Sequence, residues 1–347
     1  METKRIPIHS ILEDHEAVEQ AAQLLREGGV VAIPTETVYG LAANAYDGDA
    51  VAKIFEAKGR PMDNPLIVHI SEFDMLPELV SDIPEEVLEL ARLYWPGPLT
   101  MILERSDKIP DQVSAGLPTV AVRMPANTVA RGIIGACGFP LAAPSANRSG
   151  SPSPTTAAHV LADMDGRVEA VVISEPAAVG VESTVVSLAG MKAGKRPLLL
   201  RPGAVTPEML RAAVGEIDVD PAVLHQLEEG RNAPSPGMKY RHYAPKARVI
   251  LVEGDRADFV EYANKHAKPG TCAMCFEEDT DGLMLPAVTY GASADPASEA
   301  RCLFDALRRL DAEGYTTAYA HAPSKEGMGL AVYNRLIRAA AFQVVQL

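Results

Sequence analysis

Two polar clusters near the N-terminus hold the residue types that bind small anions. Residues 34–41 read PTETVYGL, and residues 58–70 read KGRPMDNPLIVHI. Lys58 and Arg60 flank a glycine, where a ligand can approach the backbone closely, and an arginine fork matches phosphate or carboxylate oxygens. The whole chain has a formal net charge of -14. Cations gathered on one loop of such a chain indicate a site for a small anion, because a nucleic-acid surface needs a basic face.

Further hydroxyl and basic side chains follow at spacings that suit the same site. Thr35, Thr37 and Tyr39 alternate, so an extended backbone would place their hydroxyls on one face. A strand end capped by hydroxyl groups explains Thr35 and Thr37 as well. Thr119 and Arg123 also have even spacing. The arginine stands in an apolar run, where it needs a partner, and a ligand carboxylate is one candidate.

Polar residues also flank three other predicted strands. Ser145 follows a short apolar run, and residues 151–155 (SPSPT) then predict a helix start capped by Thr155. Ser183 opens one strand and Arg201 closes another. Each segment alone has an ordinary structural explanation, so the prediction of a site depends on their combination.

Other motifs for nucleotides, nucleophiles and metals are incomplete. Residues 190–196 (GMKAGKR) are one residue short of a P-loop and precede no helix, which favours a hairpin loop. Residues 327–332 (GMGLAV) favour a helix N-terminus. A serine hydrolase using Ser145 or Ser183 is an alternative, although neither serine stands in G-x-S-x-G. The C-x-x-C at 272–275 lies in an apolar run, which favours core cysteines over a metal or redox site.

The hydrophobic periodicity predicts an α/β protein made of two units. Strands interleave with helices up to residue 214, yet the strands around 170–201 follow one another without a helix, which favours a mixed sheet covered by helices. After a Pro/Gly-rich segment, strand and helix alternate as in a small three-layer unit with a largely parallel sheet. We therefore predict a first domain at 1–215, a linker at 216–246 and a smaller domain at 247–347.

Length and composition restrict the class of protein. A chain of 347 residues exceeds the usual size of one hydrophobic core, which also predicts two domains. With 47% hydrophobic and 22% charged residues, the chain has the composition of an ordinary globular protein. The sequence has no signal-like segment and no apolar run of membrane-spanning length, so we expect a cytoplasmic protein without a membrane partner.

Taken in this order, the segments resemble the YrdC-type threonylcarbamoyl-AMP synthase family in its longer, two-domain form. The resemblance runs from about residue 11 to residue 207, continues through PGMKYRHYAP at 236–245 and includes GMGLAVYNRL at 327–336. It implies a YrdC-like mixed, twisted sheet with flanking helices and a concave cavity. It also implies a smaller, Rossmann-like C-terminal domain.

The resemblance implies a nucleotidyltransferase reaction. Such enzymes combine L-threonine, bicarbonate and ATP to give threonylcarbamoyl-AMP and pyrophosphate. A separate transferase then uses the product to form N6-threonylcarbamoyladenosine in tRNA. Mg²⁺ would enter with ATP, and neither a metal held directly by side chains, an organic prosthetic group nor stable nucleic-acid binding is implied. A non-catalytic nucleotide- or RNA-binding protein is the alternative, which the acidic net charge disfavours.

The family's motifs also imply roles for individual residues. Lys58 and Arg60 would be the catalytic cations toward the triphosphate. The implied ATP site comprises Arg60, Asn64, Thr119, Ser145, Ser153, Arg201, Tyr240, His242 and Tyr243. The implied L-threonine site comprises Thr37, His69, Arg123, Ala143 (through its backbone) and Ser183. Residues 234–245 are expected to fold over the cavity as a lid.

Overall fold

Alternating apolar residues build two separate sheets, one from each half of the chain. The computed structural model describes residues 2–226 and 243–347. The strands, in chain order, are β1 (Lys4–Pro7), β2 (Val31–Ile33), β3 (Gly40–Asn44), β4 (Ile67–His69), β5 (Leu99–Glu104), β6 (Thr119–Arg123), β7 (Leu141–Ala142), β8 (Ala170–Ile173), β9 (Thr184–Ser187), β10 (Leu198–Arg201), β11 (Asp218–Val219), β12 (Arg248–Glu253), β13 (Thr271–Cys275), β14 (Ala287–Thr289), β15 (Thr317–His321) and β16 (Val344–Gln346).

The helices pack on both faces of these sheets. In chain order they are α1 (His15–Arg26), α2 (Gly48–Lys58), α3 (Leu76–Leu79), α4 (Glu85–Tyr94), α5 (Asp111–Ser114), α6 (Thr128–Cys137), α7 (Ala157–Met164), α8 (Pro207–Val214), α9 (Arg256–Lys265), α10 (Pro296–Ala312) and α11 (Gly329–Ala339).

The first sheet is mixed, as predicted. Its strand order is β1-β8-β2-β3-β7-β4-β6-β5-β9-β10-β11. Strand β4 runs parallel to β6 but antiparallel to β7, and β5 runs parallel to β9 but antiparallel to β6. Several neighbours in the sheet, such as β5 and β9, are far apart in sequence, and the register of these pairs brings distant polar residues to one place.

Apolar side chains cover both faces of the first sheet. Val31 and Ile33 pack with α1 and α6, while Ala32 between them packs in the cluster on the other face with α2, α4, α7 and α8. This division follows from the alternation of side chains along a strand. Burial of both faces fixes the register, because a shift by one residue would exchange the two sets.

The second sheet confirms the predicted small three-layer unit. Its order is β14-β13-β15-β12-β16, and the pairs are parallel. Leu251 and Met274 pack with Phe304 of α10, whereas Val252 packs on the opposite face with Phe259 of α9. Strand β13 buries the two cysteines of the C-x-x-C, which are free thiols in the core.

The strands that the sequence did not predict are short or have unusual composition. Strand β3 (GLAAN) consists of small residues with weak strand preference, and β1 (KRIP) is charged. Strands β11, β14 and β16 are two or three residues long at sheet edges. Strand β11 pairs with β10 although it lies beyond residue 215, the predicted end of the first domain. The domain bounds stay a prediction.

Within the described ranges, helices long and apolar enough to cross a bilayer are absent.

The predicted hairpin loop at 190–196 joins the antiparallel strands β9 and β10, and Gly329 begins α11 as predicted. The N-cap of α7 is Thr156, whose hydroxyl accepts from the His159 amide, and not Thr155 as the sequence suggested.

Candidate active site

One cavity collects most of the polar residues that the sequence singled out. Its empty space, including the part open to solvent, is about 640 Å³. It lies at the ends of strands near the middle of the first sheet. Its lining residues are Thr35, Thr37, Val38, Gly40, Arg60, Ile67, His69, Arg123, Ala143, Pro144, Ser145, Asn147, Ser153, Glu182, Ser183, Arg201 and Tyr243.

Strand register brings three of these residues together. His69 of β4 stands opposite Arg123 of β6 and opposite Leu141 of β7. The Ala143 amide continues this pairing by donating to the Ile67 carbonyl at 2.9 Å. A histidine, an arginine and a backbone segment from distant parts of the sequence are thus fixed side by side by backbone hydrogen bonds.

Arg123 has its polar partners within the chain. Its Nη2 lies 2.6 Å from Glu36 Oε1, its Nη1 donates to Thr37 Oγ1 at 2.8 Å, and its Nε donates to the Gly97 carbonyl at 3.2 Å. Burial raises the pKa of Glu36, but the charge and hydrogen bond of Arg123 outweigh burial, and the pKa lies below its ordinary value. The buried cation that the sequence left without a partner is therefore paired with Glu36, and its role toward a ligand carboxylate stays a prediction.

The Thr35–Tyr39 segment is a turn and not the extended segment that alternation suggested. Thr35 Oγ1 donates to the Val38 carbonyl at 2.6 Å and lies 2.9 Å from Thr37 Oγ1. Tyr39 points away from these hydroxyls, and its phenol donates to the Ser174 carbonyl at 3.0 Å. Local side-chain hydrogen bonds compete with a strand here, so Thr35 and Thr37 line the cavity and Tyr39 does not.

His69 is neutral at physiological pH. Burial, followed by the charge of Arg123, lowers its pKa to about 3. Its Nδ1 lies 3.1 Å from the Ile67 carbonyl, an acceptor, so the proton resides on Nδ1. A neutral imidazole held in this way presents an acceptor nitrogen, which suits a ligand hydroxyl or ammonium group.

Lys58 lies behind the cavity wall. Its Nζ donates to the backbone carbonyls of Ser145 and, at 2.7 Å, Asn147. Burial and the nearby Arg60 lower its pKa from 10.5 to about 7. Lys58 therefore holds the loop that carries Ser145 in place, and its predicted contact with a triphosphate stays a prediction.

Arg60 and Arg201 line the cavity from two sides. Arg60 Nη2 donates to the Asn64 carbonyl at 3.2 Å, and its guanidinium lies 5.6 Å from the centre of the Phe55 ring. Arg201 Nε donates to the Ser183 carbonyl at 2.9 Å, and its Nη2 to Ser183 Oγ at 3.1 Å. Burial lowers the pKa of Arg201 to about 10, so it remains a cation at neutral pH. The two arginines give the cavity a positive character that suits an anionic ligand.

Glu182 is a wall residue that the sequence reasoning missed. Ser153 Oγ donates to its Oε1 at 2.5 Å, and Arg335 Nε lies 3.0 Å from its Oε2. A lone acid in GVEST gives no periodic or motif signal. The run GMGLAVYNRL carried a family resemblance, but nothing in it pointed to an ion pair with this cavity.

The structure brings together most of the residues predicted for the site. Those that line the cavity are Thr37, Arg60, His69, Arg123, Ala143, Ser145, Ser153, Ser183, Arg201 and Tyr243. Three predicted site residues do not line the cavity, namely Lys58, Asn64 and Thr119. Thr119 begins β6, whereas Arg123 lies at the other end of that strand. Tyr240, His242 and most of the predicted lid at 234–245 lie outside the described residues.

In residues 2–226 and 243–347, no three His, Cys, Asp or Glu side chains are grouped as metal ligands. Burial raises the pKa of Cys272 and of Cys275 to about 12, which makes both thiols poor nucleophiles.

Two family models match consecutive parts of the chain. The model for the Sua5, YciO and YrdC proteins, described as telomere recombination, matches residues 23–203. The model described as the threonylcarbamoyl-AMP synthase C-terminal domain matches residues 205–341.

Two threonylcarbamoyl-AMP synthases and one solved structure match nearly the whole length of this chain. The threonylcarbamoyl-AMP synthase of Pyrococcus abyssi is 46% identical over 94% of this chain and 94% of its own. That of Bacillus subtilis is 44% identical over 95% of this chain and 94% of its own. The crystal structure of P. abyssi Sua5 complexed with L-threonine has a TM-score of 0.90 at 41% identity and covers 100% of both chains.

The buried ammonium of Lys58 gives a pH-dependent stability. The folded protein holds this proton less tightly than the unfolded chain, because the pKa is about 7 instead of 10.5. The folded state is penalised below pH about 7, and the penalty is relieved as the pH rises toward the unfolded value. The free energy of unfolding of the wild type, relative to Lys58→Met, should therefore increase between pH about 7 and 10 in denaturant titrations.

Lys53→Met is the matched control, since Lys53 lies on the same helix with an exposed side chain that donates to the Gly28 carbonyl. It should show no comparable trend. A Lys58→Met difference that stays constant over the same pH range would contradict the burial of a titrating ammonium.

Proposed function

Since this chain belongs to the threonylcarbamoyl-AMP synthase family, we propose that it condenses L-threonine, bicarbonate and ATP into threonylcarbamoyl-AMP and pyrophosphate. The observation that carries this proposal is the cavity, which joins a small polar pocket around His69 to a cationic wall around Arg60 and Arg201. A family member with the same fold over its whole length has L-threonine bound. The cavity offers groups for both an amino acid and a polyanion.

The pocket around His69 is proposed to bind L-threonine. Neutral His69 supplies an acceptor for the ammonium or hydroxyl group. Thr37 is held by Arg123, and the Ser183 hydroxyl is held 2.7 Å from Thr100 Oγ1. These groups are pre-oriented by contacts within the protein, so ordering them costs little when the ligand binds.

The cationic wall is proposed to bind Mg·ATP. Arg60 and Arg201 provide guanidinium forks for phosphate oxygens, and Ser145 and Ser153 add hydroxyl groups. Mg²⁺ enters with the nucleotide as part of the substrate, bridging phosphate oxygens and neutralising their charge. Gly40 packs closely against Ala143, since a Cβ at position 40 would lie 3.3 Å from Ala143 Cβ.

The proposed reaction has two bond-forming steps. The threonine nitrogen, as the free amine, bonds to the bicarbonate carbon, and the bicarbonate hydroxyl leaves with one amine proton as water, which gives a carbamate. A carbamate oxygen then bonds to the α-phosphorus, the bond to the bridging α–β oxygen breaks, and pyrophosphate leaves with that electron pair. Nucleotidyl transfer depends on in-line positioning and charge neutralisation more than on a protein nucleophile. A wall of fixed arginines and hydroxyls suits this requirement.

We further propose that the product passes to a separate transferase that forms N6-threonylcarbamoyladenosine in tRNA. The mixed anhydride is labile in water, so rapid use by a partner enzyme fits its chemistry. The net charge of -14 supports a protein that hands on a small molecule and does not hold tRNA tightly.

Pyrophosphate release tests the reaction. With Mg·ATP, L-threonine and bicarbonate together, the enzyme should release pyrophosphate, and omission of either co-substrate should reduce release to background. Each is needed because the attacking carbamate forms from both. Release that persists without threonine or without bicarbonate would refute the proposed reaction.

Amino-acid selectivity tests the pocket. Valine lacks the threonine hydroxyl and leaves a buried polar group without its hydrogen bond, whereas serine lacks only the methyl group, worth roughly 1 to 3 kcal/mol. In the same assay, kcat/KM should fall less with serine than with valine. Equal rejection of the two amino acids would contradict a pocket that recognises the hydroxyl by hydrogen bonding.

A further inference from the structure

The cavity contains a negative charge where a polyanion is proposed to bind. Glu182 is the one carboxylate among the described residues that line it, and it is 7% exposed. Burial raises the pKa of Glu182, but Arg335 and Arg201 outweigh this effect and keep the carboxyl ionised. Two unit charges a few ångströms apart near a protein surface interact by several kcal/mol. An uncompensated Glu182 would therefore repel a triphosphate.

The compensating charge comes from the second half of the chain. Arg335 of α11 is fully buried, at 0% exposure. Its Nε donates to Glu182 Oε2 at 3.0 Å, its Nη2 to the Glu182 carbonyl at 3.1 Å and its Nη1 to the Pro202 carbonyl at 2.6 Å. All three nitrogens of the fork thus reach residues of the first half, next to Ser183 and Arg201 of the cavity wall.

The backbone around Glu182 also packs against the C-terminal half of the chain. Val181 packs in the apolar cluster of α10 and α11, and Val38, which lines the cavity, joins that cluster. Gly180 lies so close to α10 that a Cβ would approach the Ala300 carbonyl oxygen to 2.4 Å. Tyr243 also lines the cavity, and its ring packs 5.2 Å from that of Phe304 in α10. The position of Glu182 therefore depends on residues 243–347.

We propose that Arg335 is a positioning residue through which the C-terminal half completes the nucleotide subsite. It cancels the charge of Glu182 and fixes the carboxylate on Ser153, so that the wall presents Arg60 and Arg201 to the anion without an opposing charge. The proposal rests on the proposed binding of ATP in this cavity. It assigns the C-terminal half a direct electrostatic contribution to the site.

Binding measurements test this role without relying on turnover. Calorimetric titration of Arg335→Gln should show a Kd for Mg·ATP raised about tenfold or more, equivalent to about 1.4 kcal/mol. The Kd for L-threonine, a zwitterion without net charge, should change less than about twofold. Arg335→Gln/Glu182→Gln should bring the Kd for Mg·ATP back to within about threefold of the wild type, because it removes the uncompensated charge of Glu182.

Arg338→Gln is the matched control. Arg338 lies on the same helix, is 7% exposed and donates across the same interface to the Ala222 carbonyl at 2.7 Å, but it has no contact with Glu182. Its loss should leave both dissociation constants within about twofold of the wild type. Thermal unfolding monitored by circular dichroism should accompany each variant, since an unpaired buried acid costs stability.

Arg335→Lys covers the case in which Arg335→Gln does not fold. The lysine keeps the positive charge and should hold the Kd for Mg·ATP within about threefold of the wild type. A tenfold weaker Kd in Arg335→Lys would overturn charge compensation. So would an Arg335→Gln variant that behaves like Arg338→Gln, or a double variant that stays as weak as Arg335→Gln. Wild type that binds Mg·ATP but makes no product would refute the proposed function alone.

Discussion

The cost of burying ionised groups is the constraint on which the construction of this cavity depends. A buried charge is tolerated only when a partner and hydrogen bonds replace its water. Arg123 meets Glu36, Glu182 meets Arg335, and the Lys58 ammonium meets backbone carbonyls. Each pairing ties together segments distant in sequence. The wall of the cavity therefore contains a network of buried charged groups, each with a partner in the protein.

This network explains how the site can work without an evident nucleophile. Its polar groups are oriented before any ligand binds, which is the condition for strong electrostatic stabilisation of developing charge. The lowered pKa of Lys58 and the neutral His69 follow from the same burial. Through Glu182 and Arg335, the network joins the cavity wall to α11, so the two halves share one electrostatic environment. The C-terminal half is then part of the site and not only an attachment to it.

Much of the fold could be predicted from the sequence, because β-branched runs such as residues 31–33 and the strand-helix alternation after residue 247 have clear periodicity. Strand β3 could not, since small residues give no strand signal. Arg123 could be singled out from the sequence because a cation in an apolar run needs a partner, whereas His69 was implied by the family's motifs, and both line the cavity. The Glu182–Arg335 pair could not be predicted, because it depends on how the two halves of the chain pack together, and local sequence carries no such information.

The most direct test of the proposed reaction follows the carbon of bicarbonate into the product. The wild-type enzyme would be incubated with isotopically labelled bicarbonate, L-threonine and Mg·ATP, and the nucleotide products separated at once and identified by mass spectrometry. The proposed reaction predicts an adenylate that contains both threonine and the labelled carbon, formed in step with pyrophosphate. An adenylate of threonine without the label, or ATP cleavage products alone, would contradict it.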